Sequence, residues 1–71
     1  METGRLTPRE SDVLFWATEG KSAWEIAMIL DISERTVKFH LSNIYQKMGV
    51  STRAQAVAVA IKQNLVANPL R

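Results

Sequence analysis

Apolar residues of this 71-residue chain recur at helical rather than strand spacing. Between Ser33 and Met48, Val37, Leu41, Ile44 and Met48 fall at i, i+4, i+7 and i+11, the stripe of an amphipathic helix. Upstream, Val13, Leu14 and Ala17 form a shorter stripe that Phe15 or Trp16 widens. Ala23, Ile26, Ala27 and Leu30 form another at i, i+3, i+4 and i+7, leaving Trp24 and Met28 on its flank. Near the end, Ala54, Val57, Ala58, Ile61 and Leu65 read as an inward stripe. A weaker strip of Ala56, Val59 and Ala60, with Gln63 beside it, is left over. Strand-like alternation occurs only in Val57 to Ile61, inside this stronger helical frame.

Capping residues bound these stripes. Thr7-Pro8-Arg9-Glu10, Ser22-Ala23-Trp24-Glu25 and Thr52-Arg53-Ala54-Gln55 each have the hydroxyl-x-x-Glu/Gln form of a capping box. Pro8 suits a first helical position, and Glu10 there suits the helix dipole. Ser33 is placed to cap the third helix. Gly20 and Gly49 stand where a left-handed residue closes a helix. Asn64 is placed to end the last helix, and Asn68-Pro69 to stop any continuation. The pattern predicts an all-α fold of four helices, at about 8–19, 23–30, 34–48 and 52–63. Residues 1–6 read as a lead-in or linker, 7–66 as one domain and 67–71 as a tail. The loop at Asp31-Ile32 is so short that helices 2 and 3 must be neighbours in a helix-turn-helix, with Ile32 plugging the angle between them.

The opposite face of helix 3 is unusual. It carries Arg35, Lys38, Phe39, Ser42, Asn43 and Gln46, a cationic and hydrogen-bonding surface with one large aromatic in it. A solvated Phe has a reason if the helix lies in a DNA major groove. There Lys, Ser, Asn and Gln reach base edges and an apolar group meets a thymine methyl. The net charge of +2 is a weak nucleic-acid signal, but its distribution is not. Asp12, Glu19 and Glu25 lie upstream, whereas Arg35, Lys38, His40 and Lys47 cluster on or beside helix 3.

Other functions lack their residues. The chain has no cysteine and one histidine, His40, so a metal site has too few ligands of the usual kinds. There is no nucleophile elbow and no glycine-rich phosphate loop, and carboxylates such as Asp12, Glu19 and Asp31 are scattered. An enzyme and a cofactor are therefore not expected. No apolar run approaches the roughly 18 residues of a membrane span, and no signal peptide is seen. A cytoplasmic protein at the bacterial nucleoid is the expectation, with no small-molecule ligand in this domain.

The chain resembles the LuxR/FixJ/GerE-type DNA-binding domain of bacterial transcription regulators. The resemblance is carried by Leu6-Thr7 with Glu10, Val13-Leu14, Gly20-Lys21-Ser22, Glu25-Ile26-Ala27, Leu30, Ile32-Ser33, Thr36-Val37-Lys38 with His40, Ile44, Lys47-Met48-Gly49-Val50, Arg53 and Ala56. It runs from about Leu6 to Val66. Trp24 in the Lys21-to-Ile26 stretch looks more like the quorum-sensing LuxR members than the response regulators. The resemblance implies a regulator that binds a partly palindromic DNA site as a dimer, with helix 4 as the dimer contact.

It also implies roles for particular residues. Lys38 and Ser42 occupy base-reading positions, Lys38 as a donor to guanine; the bland reading of Lys38 is a solvated surface lysine. Ser42 departs from the longer basic residue of some members, so Asn43 or Gln46 would take over part of its reach. Phe39 is a methyl reader or a filler against helix 2. Thr36 would donate to phosphate or make a local hydrogen bond. Lys21, Ser22 and the amides opening helix 2 form a phosphate clamp. Arg35, His40, Lys47 and Arg53 are further phosphate candidates, although Lys47 and Arg53 could instead pair with Glu10 or Glu25. The strip of Ala56, Val59, Ala60 and Gln63 is a dimer seam or ordinary alanine-rich surface. Trp24 and Met28 contact DNA, contact RNA polymerase or pack on helix 1. The leading expectation is a dimeric reader of double-stranded DNA. The alternative is a protein-interaction module that holds polymerase or a regulatory protein and binds DNA only weakly.

Overall fold

Every helix starts on a hydroxyl. In a computed structural model that describes residues 5–65, four α-helices follow one another: α1 Pro8–Thr18, α2 Ala23–Leu30, α3 Glu34–Met48 and α4 Arg53–Gln63. The Thr7, Ser22, Ser33 and Thr52 hydroxyls accept from the amides of Glu10 (3.1 Å), Glu25 (3.1 Å), Thr36 (3.0 Å) and Gln55 (3.2 Å). At three of these ends the box closes in return: Glu10, Glu25 and Gln55 accept from the cap amides at 2.9, 2.8 and 3.2 Å. Each cap stabilises its helix by about 1 kcal/mol, a large fraction of what holds so small a domain.

The ends are equally uniform. Lys21 donates to the Trp16 carbonyl (3.1 Å), Ile32 to Ala27 (3.1 Å), Val50 to Tyr45 (3.0 Å) and Leu65 to Ala60 (3.0 Å). Each closes a helix in the wrapped manner that needs a left-handed residue just before the donor. Gly20 and Gly49 supply it at φ +84° and +70°. At the ends of α2 and α4 the left-handed residues are Asp31 (φ 58°) and Asn64 (φ 52°). Ile32 and Val50 then fold back against the core, so Ile32 does plug the helix-turn-helix angle. Asp31 is poorly matched to its position, because it pairs a left-handed backbone with a negative charge at a helix C-terminus. Asp31→Gly is expected to raise stability by about 0.5–1 kcal/mol in thermal unfolding.

α1 and α3 each pack against all three other helices, whereas α2 and α4 do not meet. The core is Val13, Leu14 and Ala17 of α1, Ile26 and Ala27 of α2, Val37, Leu41 and Ile44 of α3, and Ala56 and Ala60 of α4. Leu6 also packs on this core, so packing begins one residue before the expected boundary at Thr7. The predicted tail at 67–71 and Asn68-Pro69 lie outside the described residues.

The α4 face departs from expectation. Ala56 and Ala60 are buried, while Ala54, Ala58, Ile61 and Leu65 are exposed, Ile61 by 65%. The face expected inside is largely outside. Two alanines one turn apart let α4 approach α1 and α3 closely, and larger side chains there would hold it off. Among the described residues, no helix is long and apolar enough to cross a membrane.

Candidate nucleic-acid interface

α3 is placed by what it buries. Val37, Leu41 and Ile44 are sealed between α1 and α2, which turns positions 35, 38, 39, 42 and 46 to solvent. Arg35, Lys38, Ser42 and Gln46 are exposed, and Phe39 is 62% exposed. The filler reading of Phe39 therefore fails. Asn43, Thr36 and His40 are half-buried at the margins of this face. The His40 ring lies 6.0 Å from that of Phe39 between centroids. The Thr36 hydroxyl accepts from Ser33 at 2.8 Å, which leaves its own proton free to donate outward.

Glu34, which the sequence did not single out, enters this face. Its carboxylate lies 3.4 Å from the Lys38 ammonium, one helical turn away. A Glu four residues before a Lys is the favoured order on a helix, and that spacing was the available signal. The pair is exposed and worth a few tenths of a kcal/mol, so it steers Lys38 without sequestering it.

The second cluster surrounds the start of α2. Lys21 is half-buried and Ser22 exposed. The Ser22 amide is occupied by the capping box, and the Ser22 hydroxyl accepts there from the Glu25 amide, which leaves its proton free to donate. The first-turn amides of Ala23 and Trp24 are without helical partners, so an anion would meet them beside the Ser22 hydroxyl. Hydrogen bonding from the Ser22 amide, against an opposing effect of desolvation, holds the Glu25 carboxyl below its ordinary value. The Ser22 hydroxyl, Lys21 and Arg53 add to this. The acidic residue at this helix start thus lies beside two cations that offset it.

Two phosphate candidates are used internally. Lys47 Nζ lies 2.7 Å from Glu10 Oε1 and joins α3 to α1. The Arg53 guanidinium donates to the Lys21 carbonyl and, at 3.4 Å, to that of Ala17. Both side chains are long enough to leave the surface for a buried or orphaned acceptor, and each has found one.

The expected seam needs a correction as well. Ala56 and Ala60 are core residues and cannot face a partner, Val59 is half-buried, and only Gln63 is exposed. α4 nevertheless has an apolar outer stripe of Ala54, Ala58 and Ile61 at i, i+4 and i+7, with exposed Leu65 just past its end. On α2, Trp24 (59% exposed), Met28 and Ile29 are exposed and, with Lys21 and Glu25, line an open groove of about 280 Å³. Trp24 therefore does not pack on α1. Ile29 lies beside the inward stripe and not on it, so helical spacing does not signal it.

A three-residue turn between two short helices, with the second presenting a cationic and polar face, defines a helix-turn-helix domain. The chain matches the luxR family of bacterial regulatory proteins, the GerE type, over residues 4–60, and it belongs to that family. It is 61% identical over 56 residues to the transcriptional activator VanR of Vibrio anguillarum, covering 79% of this chain and 23% of VanR. It is 53% identical over 62 residues to the quorum sensing-dependent transcriptional regulator RpaR of Rhodopseudomonas palustris, covering 87% of this chain and 26% of RpaR. The chain thus spans about a quarter of the length of these relatives. Among solved structures, the transcription factor GerE superposes with a TM-score of 0.79 at 37% identity, over 87% of this chain and 92% of GerE. Escherichia coli SdiA gives 0.85 at 37% identity, over 96% of this chain and 29% of SdiA. Family membership makes this a DNA-binding domain of a transcription regulator and not an enzyme.

Proposed function

We propose that this domain is the output module of a quorum-sensing transcriptional activator and reads an inverted-repeat operator as one half of a dimer. The observation that carries the reading is the outward face of α3, where an exposed Phe39 stands among Lys38, Ser42 and Gln46. In this account α3 enters the major groove of double-stranded DNA. Lys38, Phe39, Ser42 and Gln46 meet base edges, with half-buried Asn43 at the margin. Lys21, Ser22, Arg35, Thr36, His40 and the amides opening α2 hold phosphates, which fix register without choosing sequence. Lys47 and Arg53 are left out of the phosphate set because of their internal bonds. The quorum-sensing part of the reading rests on the likeness to RpaR. Any signal would act on a part of the regulator outside this domain, and the place of action is the bacterial chromosome.

The dimer contact is the Ala54, Ala58 and Ile61 stripe, with Leu65 just past the helix end, rather than the strip beneath it. A seam of one helix from each copy is small. Contacts burying much less than about 1,000 Å² in total are transient, so pairing is expected on DNA and not in free solution. Two-fold protein symmetry then matches inverted half-sites. The groove of Trp24, Met28 and Ile29 is left free for RNA polymerase, which fits the likeness to the activator VanR.

Duplexes that the wild-type chain enriches from a random pool supply the DNA for a test. Ile61→Glu should abolish cooperative filling of two inverted half-sites and leave the affinity for a single half-site within about threefold of wild type, since distant sites behave independently. Unchanged cooperativity in ultracentrifugation of the complex contradicts the α4 seam. A sharp loss at a single half-site contradicts the separation of dimer face from reading face.

A further inference from the structure

Among the described residues, and apart from the local bonds of Gln55 to the Ser51 and Thr52 amides that precede the helix, the side-chain hydrogen bonds that leave α4 for another part of the domain come from Arg53. Its guanidinium reaches the Ala17 carbonyl, in the last turn of α1, and the Lys21 carbonyl, one residue before the cap of α2. It also lies close enough to Glu25 to help hold that carboxylate charged. Arg53 therefore joins the end of α1, the link into α2 and the first turn of α4. Among the described residues, α2 and α4 do not pack on each other.

Resting on the reading of the α2 start as a phosphate clamp, we infer that Arg53 is the positioning residue of that clamp and acts through the Lys21 backbone without touching DNA. The Lys21 carbonyl sets the direction in which the chain enters Ser22, and so where the Ala23 and Trp24 amides and the Lys21 ammonium point. A guanidinium suits the task because one terminal nitrogen, Nη2, holds its two N–H groups in a fixed plane toward the two carbonyls and the group never loses its charge. Because Arg53 begins α4, the same clasp fixes the clamp relative to the proposed dimer helix. A dimer that sets the spacing of two half-sites needs such a fixed distance.

The test uses the 71-residue chain and an arbitrary-sequence duplex at low salt, followed by fluorescence anisotropy. Arg53→Lys, Arg53→Met and Lys21→Met are measured singly, and each Arg53 variant is combined with Lys21→Met. Thermal melts establish that each is folded at the working temperature. Arg53→Lys and Arg53→Met are both expected to weaken binding about tenfold. On the Lys21→Met background the further loss should fall below about threefold, the non-additivity of residues acting as one unit. In the free Arg53→Lys domain, the Ala23 and Trp24 amide resonances should move; this reading needs only the conservative variant, should Arg53→Met not fold. Wild-type-like binding by Arg53→Lys overturns the inference, because a bare charge at a phosphate tolerates lysine. So do losses that simply multiply, and so do unmoved amides. A wild-type chain that binds no duplex overturns the DNA reading beneath the inference, a result distinct from all three.

Discussion

Lys38→Ala is expected to remove preference for one base pair in each half-site and to lower affinity for the selected operator by about 10- to 100-fold, the range of a specific base contact worth roughly 1–3 kcal/mol. Binding to unrelated duplex should fall far less. The expectation follows from where Lys38 stands: exposed, near the leading end of α3, and held only by an exposed carboxylate 3.4 Å away. An ammonium so weakly tied can leave Glu34 for a guanine at small cost. A phosphate contact at Lys38 gives a different signature. Every duplex would then weaken alike, and the slope of log affinity against log salt would become shallower by about one. Parallel titrations of Lys38→Ala on operator and scrambled duplex at several salt concentrations separate the two. Ser42, one turn further on, reaches less far, so Ser42→Ala should cost less than Lys38→Ala.

Glu10→Ala is expected to damage the fold severely. Glu10 is 4% exposed, accepts from Lys47 at 2.7 Å and closes the α1 capping box at 2.9 Å. Removing one partner of a fully buried pair costs about 3–5 kcal/mol. Here Lys47 keeps 30% of its side chain in water and can turn outward, which reduces that figure; the lost cap restores about 1 kcal/mol of the cost. A net loss of about 3 kcal/mol lowers Tm by about 12–24 °C for a domain of this size. That is much of the total stability such a chain has.

The pH dependence of this site has a definite sign. Desolvation raises the Glu10 carboxyl, but the Lys47 hydrogen bond, the Thr7 amide and the Lys47 charge together bring it below its ordinary 4.5. A carboxylate lowered on folding stabilises the fold above its unfolded value and loses that contribution as pH falls through the folded one. The stability difference between wild type and Glu10→Gln should therefore be full at neutral pH and narrow as pH drops below 4.5. Urea unfolding of both proteins across that range is the check, and a gap that widens on acidification contradicts the assignment.

What could be read from the chain was what is local in it. Capping boxes, helix-ending residues and the α3 stripe depend on residues three to seven apart, and the two faces of α3 are chemically so different that its orientation is unambiguous. α4 was not legible in the same way. Both of its faces carry Ala and Val, so the choice is made by how closely α1 and α3 admit a backbone, and that favoured Ala56 and Ala60 over the larger Ile61. For Lys47 the sequence offered Glu10 beside a phosphate without a choice between them, and the carbonyl acceptors of Arg53 were out of reach. Glu10 is 37 positions from Lys47, and Lys21 is 32 from Arg53; a cation suited to a phosphate is equally suited to either acceptor. Trp24 shows the limit from the other side. Its place on a flank was visible, but only the fold reveals that no neighbouring helix covers it.

The claim that this domain chooses DNA by sequence through α3 is tested most directly by selection from a random-sequence duplex pool, carried out at two salt concentrations. The account predicts an enriched inverted repeat whose half-site is retained at the higher salt and changes at one position with Lys38→Ala. Retention of duplexes at low salt with no enriched sequence would mean phosphate contact alone. That result would contradict the account and leave the Trp24, Met28 and Ile29 groove, with a protein partner, as the surface that carries the function.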